Sequence, residues 1–304
     1  MERKNNHRVV CFGEVLWDIL PSGAVPGGAP MNVAYHLHKQ GKHPALITRV
    51  GRDQEGQELR AVFSREGVCT DYFQVDDLHE TGKVFAQPNE HNEMVYDIVQ
   101  PVAWDFIEWN ETCGDLVSHA DYFVFGSLAA RNPKSKTTLL RLLEAAKTKV
   151  LDINLRAPHY NKQIVEKLLG HTDFLKLNQA ELELIAGWFF DYRNTEEQIK
   201  SLADRFGIAH VVVTMGGNGA VLYMEGKIYK HPGFRVAVTD TVGSGDAFLA
   251  GLLSKLMEQF GPQDALEFAN GLGAFIATKT GACPHYETSE VLELIQKNTS
   301  LNPL

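Results

Sequence analysis

The strongest chemical signal lies late in the chain. Asp240-Thr241-Val242-Gly243-Ser244-Gly245-Asp246 runs directly into Ala247-Phe248-Leu249-Ala250-Gly251-Leu252. Small residues followed by an apolar run predict a tight loop opening a buried helix. Gly243 and Gly245 let the backbone turn with no side chain to block a ligand. Free N–H groups at the helix start, aided by the helix dipole, then form an anion hole. Asp246 falls at the same place. A carboxylate there either caps the helix or accepts a hydroxyl proton while the hole holds a phosphoryl group. A cap has no need of the neighbouring glycines, which favours the second reading.

The elements that must hold this loop can be read from hydrophobic rhythm. Apolar runs at 122–126, 150–154, 174–177 and 210–215 alternate with helical patterns at 134–147, 162–169, 179–186 and 195–206. That alternation predicts an α/β fold with a mostly parallel central sheet and helices on both faces. Ligands of such folds bind beyond the carboxyl ends of the strands. Nearer the N-terminus, 8–13, 15–20 and 44–50 read as strands, 23–28 as a glycine- and proline-rich loop, and 30–41 as a helix. Asp53 suits a helix cap. Runs at 72–75, 83–87 and 94–99 alternate apolar with polar and read as antiparallel strands with one wet face. They predict a small antiparallel β lid, drawn from about 15–25 and 70–100, inserted in one domain over 1–304.

Bulk properties narrow the partners. A net charge of −9 in 304 residues disfavours nucleic acid and anionic membrane. No apolar run reaches the length of a membrane span. The polar start, 1–8, has no signal-peptide core behind it. Cys11, Cys69, Cys113 and Cys283 show no paired metal spacing and fit a reduced, cytoplasmic protein. His36 and His38 lie two apart on a helix and face different ways.

A second glycine-rich stretch, Gly27-Gly28-Ala29-Pro30-Met31-Asn32-Val33-Ala34, with Gly41 and Gly51 beyond it, has a glycine–glycine–x–x–x–Asn pattern. Together with the Asp240–Asp246 stretch it resembles the two signatures of the ribokinase-like (PfkB) carbohydrate kinases, in the right order and over nearly the whole chain. The resemblance implies an ATP-dependent sugar kinase. Asp246 would deprotonate the acceptor hydroxyl, and the backbone of Gly243, Ser244 and Gly245 would stabilise the γ-phosphoryl. Asp18, Gly28 and Asn32 would bind the sugar. Asp152-Ile153-Asn154-Leu155-Arg156 is similar to the Asp–x–Asn–x–Arg run of fructokinase-like members, with Arg156 touching sugar or phosphate. Two departures follow: Pro158-His159-Tyr160 stands where a Leu-Trp pair is usual, and the lid sequence Met94-Val95-Tyr96-Asp97-Ile98-Val99 lacks an aromatic and arginine run.

Asn178-Gln179-Ala180-Glu181 matches an Asn–x–x–Glu motif. Its Glu181 would organise Mg²⁺ through water, although an acidic residue near a helix start is also simply favourable. Thr214-Met215-Gly216-Gly217-Asn218-Gly219 follows a strand, but 220–224 reads as another strand, so this is not a dinucleotide loop. The resemblance places Asn178, Thr214, Gly216 and Gly219 near ATP. It places Asn270, at the start of a helix read over 270–281, beside adenine. A monovalent cation, K⁺, would be held by Asp240 and His285 with carbonyls of Val242, Ile276, Lys279 and Gly281; His285 stands where serine is common. The expected substrate is fructose, giving the 6-phosphate. Kinases for 2-keto-3-deoxygluconate, ribose or a nucleoside, and a non-catalytic sugar- or nucleotide-binding regulator, are the alternatives. Strand edges in the lid suit a clasped homodimer.

Overall fold

The computed structural model describes residues 7–21, 23–88, 94–191 and 194–301. Residues 1–6, 22, 89–93, 192–193 and 302–304, which include parts of the expected domain and lid ranges, lie outside the described residues. The chain divides into two compact units, one from 1–38 with 43–147 and one from 39–42 with 148–304.

The first unit contains β1 (Val9–Phe12), β2 (Leu16–Leu20), β3 (Gly23–Gly27), α1 (Ala29–Lys39), β4 (Ala45–Gly51), α2 (Gln54–Arg65), β5 (Phe73–Asp76), β6 (Gly82–Pro88), β7 (Met94–Ile98), α3 (Glu111–His119), β8 (Tyr122–Gly126) and α4 (Pro133–Ala145). Strands β8, β1, β4 and β5 lie side by side and all pair in parallel. Their near-continuous Val, Ile, Leu and Phe content is what burial on both faces demands; Val9, Val10, Cys11, Phe12, Leu46 and Ile47 are fully enclosed. The lid is a separate four-stranded sheet in the order β3-β2-β6-β7.

Three expectations need correction here. The lid is mixed, not wholly antiparallel, because β2 pairs β6 in parallel between two antiparallel hairpins. The stretch 23–28, read as a loop, supplies strand β3, in which Val25 pairs with Asp18. The run 72–75 does not belong to the lid: as β5 it extends the parallel sheet beside β4 after the α2 crossover. Its alternation arises because an edge strand has one neighbour and a partly wet face.

The second unit contains β9 (Thr148–Asp152), α5 (Lys162–Leu169), β10 (Phe174–Asn178), α6 (Gln179–Gly187), α7 (Thr195–Phe206), β11 (His210–Thr214), β12 (Ala220–Met224), β13 (Lys227–His231), α8 (Ser244–Met257), α9 (Pro262–Ala277) and α10 (Thr288–Leu301). Strands β9, β10 and β11 are parallel, and β12 and β13 continue antiparallel from β11. Asparagines start α5, α6 and α7: Asn161, Asn178 and Asn194 each accept a hydrogen bond from a first-turn N–H. Helix α9 begins at Pro262, well before the expected 270–281, because Pro at the first turn sets the start. Helices α8 and α9 approach closely through glycine: a Cβ on Gly251 would lie 3.3 Å from Ala269 Cα, and one on Gly273 would lie 3.1 Å from the Ser244 carbonyl oxygen. Among the described residues no helix is long and apolar enough to cross a membrane, and all four cysteines are free thiols.

Candidate active site

The start of α8 is built from backbone. Gly243 is its N-cap, in the left-handed region at φ 75°, and makes no side-chain cap bond. A Cβ there would also sit 2.6 Å from Ala282 Cα, so glycine is required twice over. The Ser244 hydroxyl turns back to donate to the Thr241 carbonyl at 2.8 Å, away from the helix mouth. Ala247 N–H is the first to bond back into the helix, to Gly243 O at 2.8 Å. The amides of Gly245 and Asp246 precede it, in the turn whose N–H groups have no intrahelical acceptor. Asp246 is half-buried and lies inside this first turn, not at the cap position. The N-cap place itself is held by a residue without a side chain, so Asp246 stands as an acid in the first turn and not as the cap residue. The buried face from Ala247 to Leu253 fixes the helix, and with it the direction of its dipole.

Beneath this loop lies a buried charge cluster. Asp152 ends β9 and Lys176 lies on β10, and the two are register partners across the parallel ladder. Lys176 Nζ donates to both Asp152 carboxylate oxygens, at 2.9 and 2.7 Å. A Cβ on Gly245 would stand 3.1 Å from the same Nζ. Burial alone would lower the Lys176 ammonium's pKa, but the charges of Asp152, Asp246 and Glu181 outweigh it and hold the group above its ordinary value.

Glu181 completes the cluster and does more than expected. It forms a capping box with Asn178: Glu181 N–H donates to Asn178 Oδ1 at 2.9 Å, and Asn178 N–H donates to Glu181 Oε2 at 2.8 Å. Its other oxygen, Oε1, accepts from Leu155 N–H at 2.8 Å. One carboxylate thus ties the start of α6 to the loop that carries Arg156. Burial, then the Asp152 charge, pushes the Glu181 carboxyl up. Arg156 itself is exposed and directs Nη1 to the Leu155 carbonyl at 3.4 Å.

The other nucleotide candidates follow the same strand ends. Asn178 and Thr214 are Cα partners at the carboxyl ends of β10 and β11. Gly216 and Gly219 lie in the turn between β11 and β12, closed by Met215 N–H donating to Gly219 O at 2.8 Å. The turn leads into a strand, as its sequence predicts. Gly219 tolerates no side chain, since a Cβ would fall 1.9 Å from His231 O. Asn270 is buried in mid-helix and donates Nδ2 to its own helix at Leu266 O, 2.8 Å away.

The candidate cation residues form a folded loop. Asp240 Oδ1 accepts from Val242 N–H and Oδ2 from Gly281 N–H, both at 3.0 Å. Lys279 N–H donates to the Ile276 carbonyl at 2.9 Å. His285 is exposed, with Nδ1 3.4 Å from Lys39 Nζ. Among the described residues no three His, Cys, Asp or Glu side chains converge as a metal centre. Carboxylates such as Glu181 are the hard oxygen donors Mg²⁺ takes, and Mg²⁺ keeps most of its water and uses few protein ligands. The residues present therefore fit an ion bound mainly through phosphate and water.

In the first unit, Asp18, the Gly27–Gly28 pair and Asn32 come together. A Cβ on Gly27 would sit 2.1 Å from Asp18 Oδ2, and one on Gly28 (φ 120°) would sit 2.4 Å from the Glu14 carbonyl oxygen. Asn32 N–H donates to Gly28 O at 2.9 Å, and its side chain is buried in the first turns of α1. The glycines let the backbone pass close to the Asp18 carboxylate and the Glu14 carbonyl.

The profile of the pfkB family carbohydrate kinases matches residues 22–289. The chain belongs to this family. It is a carbohydrate kinase, a phosphotransferase of fructokinase-like type. It is 29% identical over 320 residues to Fructokinase-1 of Zea mays, covering 95% of this chain and 98% of that protein. It is 28% identical over 307 residues to the fructokinase of Escherichia coli, covering 94% and 98%. The fructokinase of Xylella fastidiosa with bound ATP superposes with a TM-score of 0.85 at 25% identity, over 96% of this chain and 98% of that one. The fructokinase of Vibrio cholerae O395 in its fructose, ADP and calcium ion bound form gives a TM-score of 0.83 at 25% identity, over 96% and 100%. These likenesses show the ribokinase-like α/β fold. The sequence reading of this carbohydrate kinase missed Lys176, although the signal was present: a lysine in the middle of an otherwise apolar parallel strand, Phe174–Asn178, breaks the pattern that burial requires.

Proposed function

We propose that the chain transfers the γ-phosphoryl of ATP to a hydroxyl of fructose, giving fructose 6-phosphate and ADP. The observation that carries the phosphoryl-transfer step is the open start of α8, where Gly243 leaves the helix mouth without a side-chain cap and Asp246 stands in the same turn. Asp246 takes the hydroxyl proton as the sugar oxygen attacks phosphorus. The bridging oxygen leaves with ADP, and the amides of Gly243 to Gly245 meet the charge on the transferring group. Glu181 would hold Mg²⁺ through water, and the ion would supply neutralisation of the phosphate charge. K⁺ at the Asp240 loop would add to the anion hole. A double mutant of the Vibrio cholerae O395 fructokinase in a fructose, ADP and potassium ion bound form supports testing that cation first.

Asp18, Gly28 and Asn32 bind the sugar hydroxyls, since an acid and a buried amide together accept and donate. Arg156 contacts sugar or phosphate. Asn178, Thr214, Gly216 and Gly219 line the nucleotide. Asn270 can offer adenine its amide oxygen and its second amide hydrogen without giving up its helix bond. The fructose assignment is supported by the named relatives and by the Asp152–Arg156 run. A reduced cytoplasmic setting suits the free thiols. A homodimer clasped through the outer lid strands β3 and β7 suits their position at the ends of the four-stranded order.

A coupled ADP-release assay over fructose, ribose, 2-keto-3-deoxygluconate and nucleosides tests the substrate. Fructose should give the highest kcat/KM. Turnover with another sugar and none with fructose removes the substrate assignment and leaves the kinase; no turnover with any of them favours the binding regulator.

A further inference from the structure

Lys176 is the one ionic side chain in a strand whose neighbours Leu175 and Leu177 are fully enclosed, and it is itself only 7% exposed. Stability does not explain it: a buried ion pair is often no better than well-packed apolar residues in its place. Position does. Its ammonium lies under the second glycine of the α8 loop, within 3.1 Å of where a Gly245 Cβ would be, while grasping both oxygens of Asp152. Three acids from three elements act on it: Asp152 from β9, Glu181 from α6 and Asp246 from α8.

We propose that Lys176 is a positioning residue for phosphoryl transfer, a buried cation that supplies the positive charge against which Asp246 works and that moors the β9 loop beneath the anion hole. This rests on the kinase reading of the site. Asp246 has to accept a proton just as a multiply charged phosphate chain enters the same turn, and a fixed charge below the glycine loop offsets that crowding without occupying the ligand's space. Gly245 lets the loop backbone lie over the ammonium.

The test is Lys176→Met, which keeps the length and removes the charge, followed by sugar-kinase assays from acid to alkaline pH. We expect kcat to fall about a hundredfold, the KM for sugar to stay within about threefold, and the acidic limb of the pH–rate profile to move up by about one unit, because a carboxylate that loses a nearby cation holds its proton to higher pH. Lys176→Arg, which keeps the charge, should leave the acidic limb at its wild-type pH even if the rate drops. The double change Asp152→Asn/Lys176→Met removes the pair together. It should remain slow with a displaced limb; recovery to wild-type rate and profile would mean that Lys176 only satisfies Asp152, and would overturn the proposal. An unshifted limb in Lys176→Met also overturns it. Should neither Met variant fold while Lys176→Arg does, the pair's task is structural and the proposal fails. An inactive wild-type chain would remove the kinase reading and this inference with it, whereas an active wild type beside an unchanged Lys176→Met removes this inference alone.

Discussion

Two helix starts in this chain solve the same problem in opposite ways. At α2, Asp53 is the N-cap: Oδ1 accepts from Gly56 N–H at 2.7 Å and from the Thr81 hydroxyl at 2.6 Å, and Oδ2 accepts from Thr81 N–H at 2.7 Å. One orphan donor of that helix, the Gly56 N–H, is thus spent on the fold itself. At α8 the cap position is Gly243, which makes no side-chain cap bond, and the acid stands three residues further into the helix. The first arrangement stabilises; the second leaves donors for a ligand. The start of α6 is closed as that of α2 is, by the Asn178–Glu181 box.

The comparison is broken most sharply at Asp246. Asp246→Asn keeps the shape and removes the base. It should lower kcat by about a thousandfold or more, within the range that general-base catalysis supplies, while nucleotide binding measured by calorimetry changes by no more than a few fold. A variant that keeps its rate would make Asp246 one more structural acid, like Asp53.

Next in size is Gly243→Ala. The added methyl meets Ala282 Cα at 2.6 Å on a backbone at φ 75°, so the turn has to shift or strain. We expect about a hundredfold loss in kcat, with a fall in unfolding free energy of about 1–3 kcal/mol. Thermal unfolding followed beside activity separates the two. Lost stability with intact kcat would show that the open mouth is not where charge develops.

What the sequence made legible follows from the same contrast. A site made of main-chain amides needs glycine at fixed places, and glycine announces itself; hence Gly243, Gly245 and Asp246 stand out before any coordinates. The parallel strands β9, β10 and β11 read equally well, since burial on both faces imposes an apolar run. Side-chain sites read poorly. Asp18 and Gly27 meet only because β2 and β3 form a hairpin, and the loop-like composition of 23–28 conceals that strand. Lys176 and Asp152 lie far apart in the chain and become partners only through strand register. Pairing partners across a parallel sheet are set by topology, which no local pattern encodes. For the same reason the run 72–75 reads as lid: alternation tells that a strand has a wet face, not which sheet it joins.

The smallest effect, and the one that checks the other side of the comparison, belongs to Asp53. Burial pushes its carboxyl pKa up, but the Thr81 hydroxyl and N–H, the Gly56 N–H and the Lys83 charge outweigh that and hold it below the ordinary carboxylate range. A carboxyl whose pKa is depressed on folding stabilises the folded chain above the unfolded-state value of about 3.9. That stabilisation is lost as pH falls through the folded value, when both states carry the proton. Asp53→Ala should therefore cost about 1–2 kcal/mol at pH 7, the range for losing a cap, and the gap from wild type should narrow on acidification through that region. Urea unfolding at a series of pH values reads the gap directly. Catalysis at pH 7 should be nearly unchanged, because both Asp53 oxygens are committed to Gly56 and Thr81. A pH-independent gap would mean that the Asp53 charge contributes nothing and that the cap works by shape alone, while a large loss of turnover with stability intact would erase the distinction between the two helix starts.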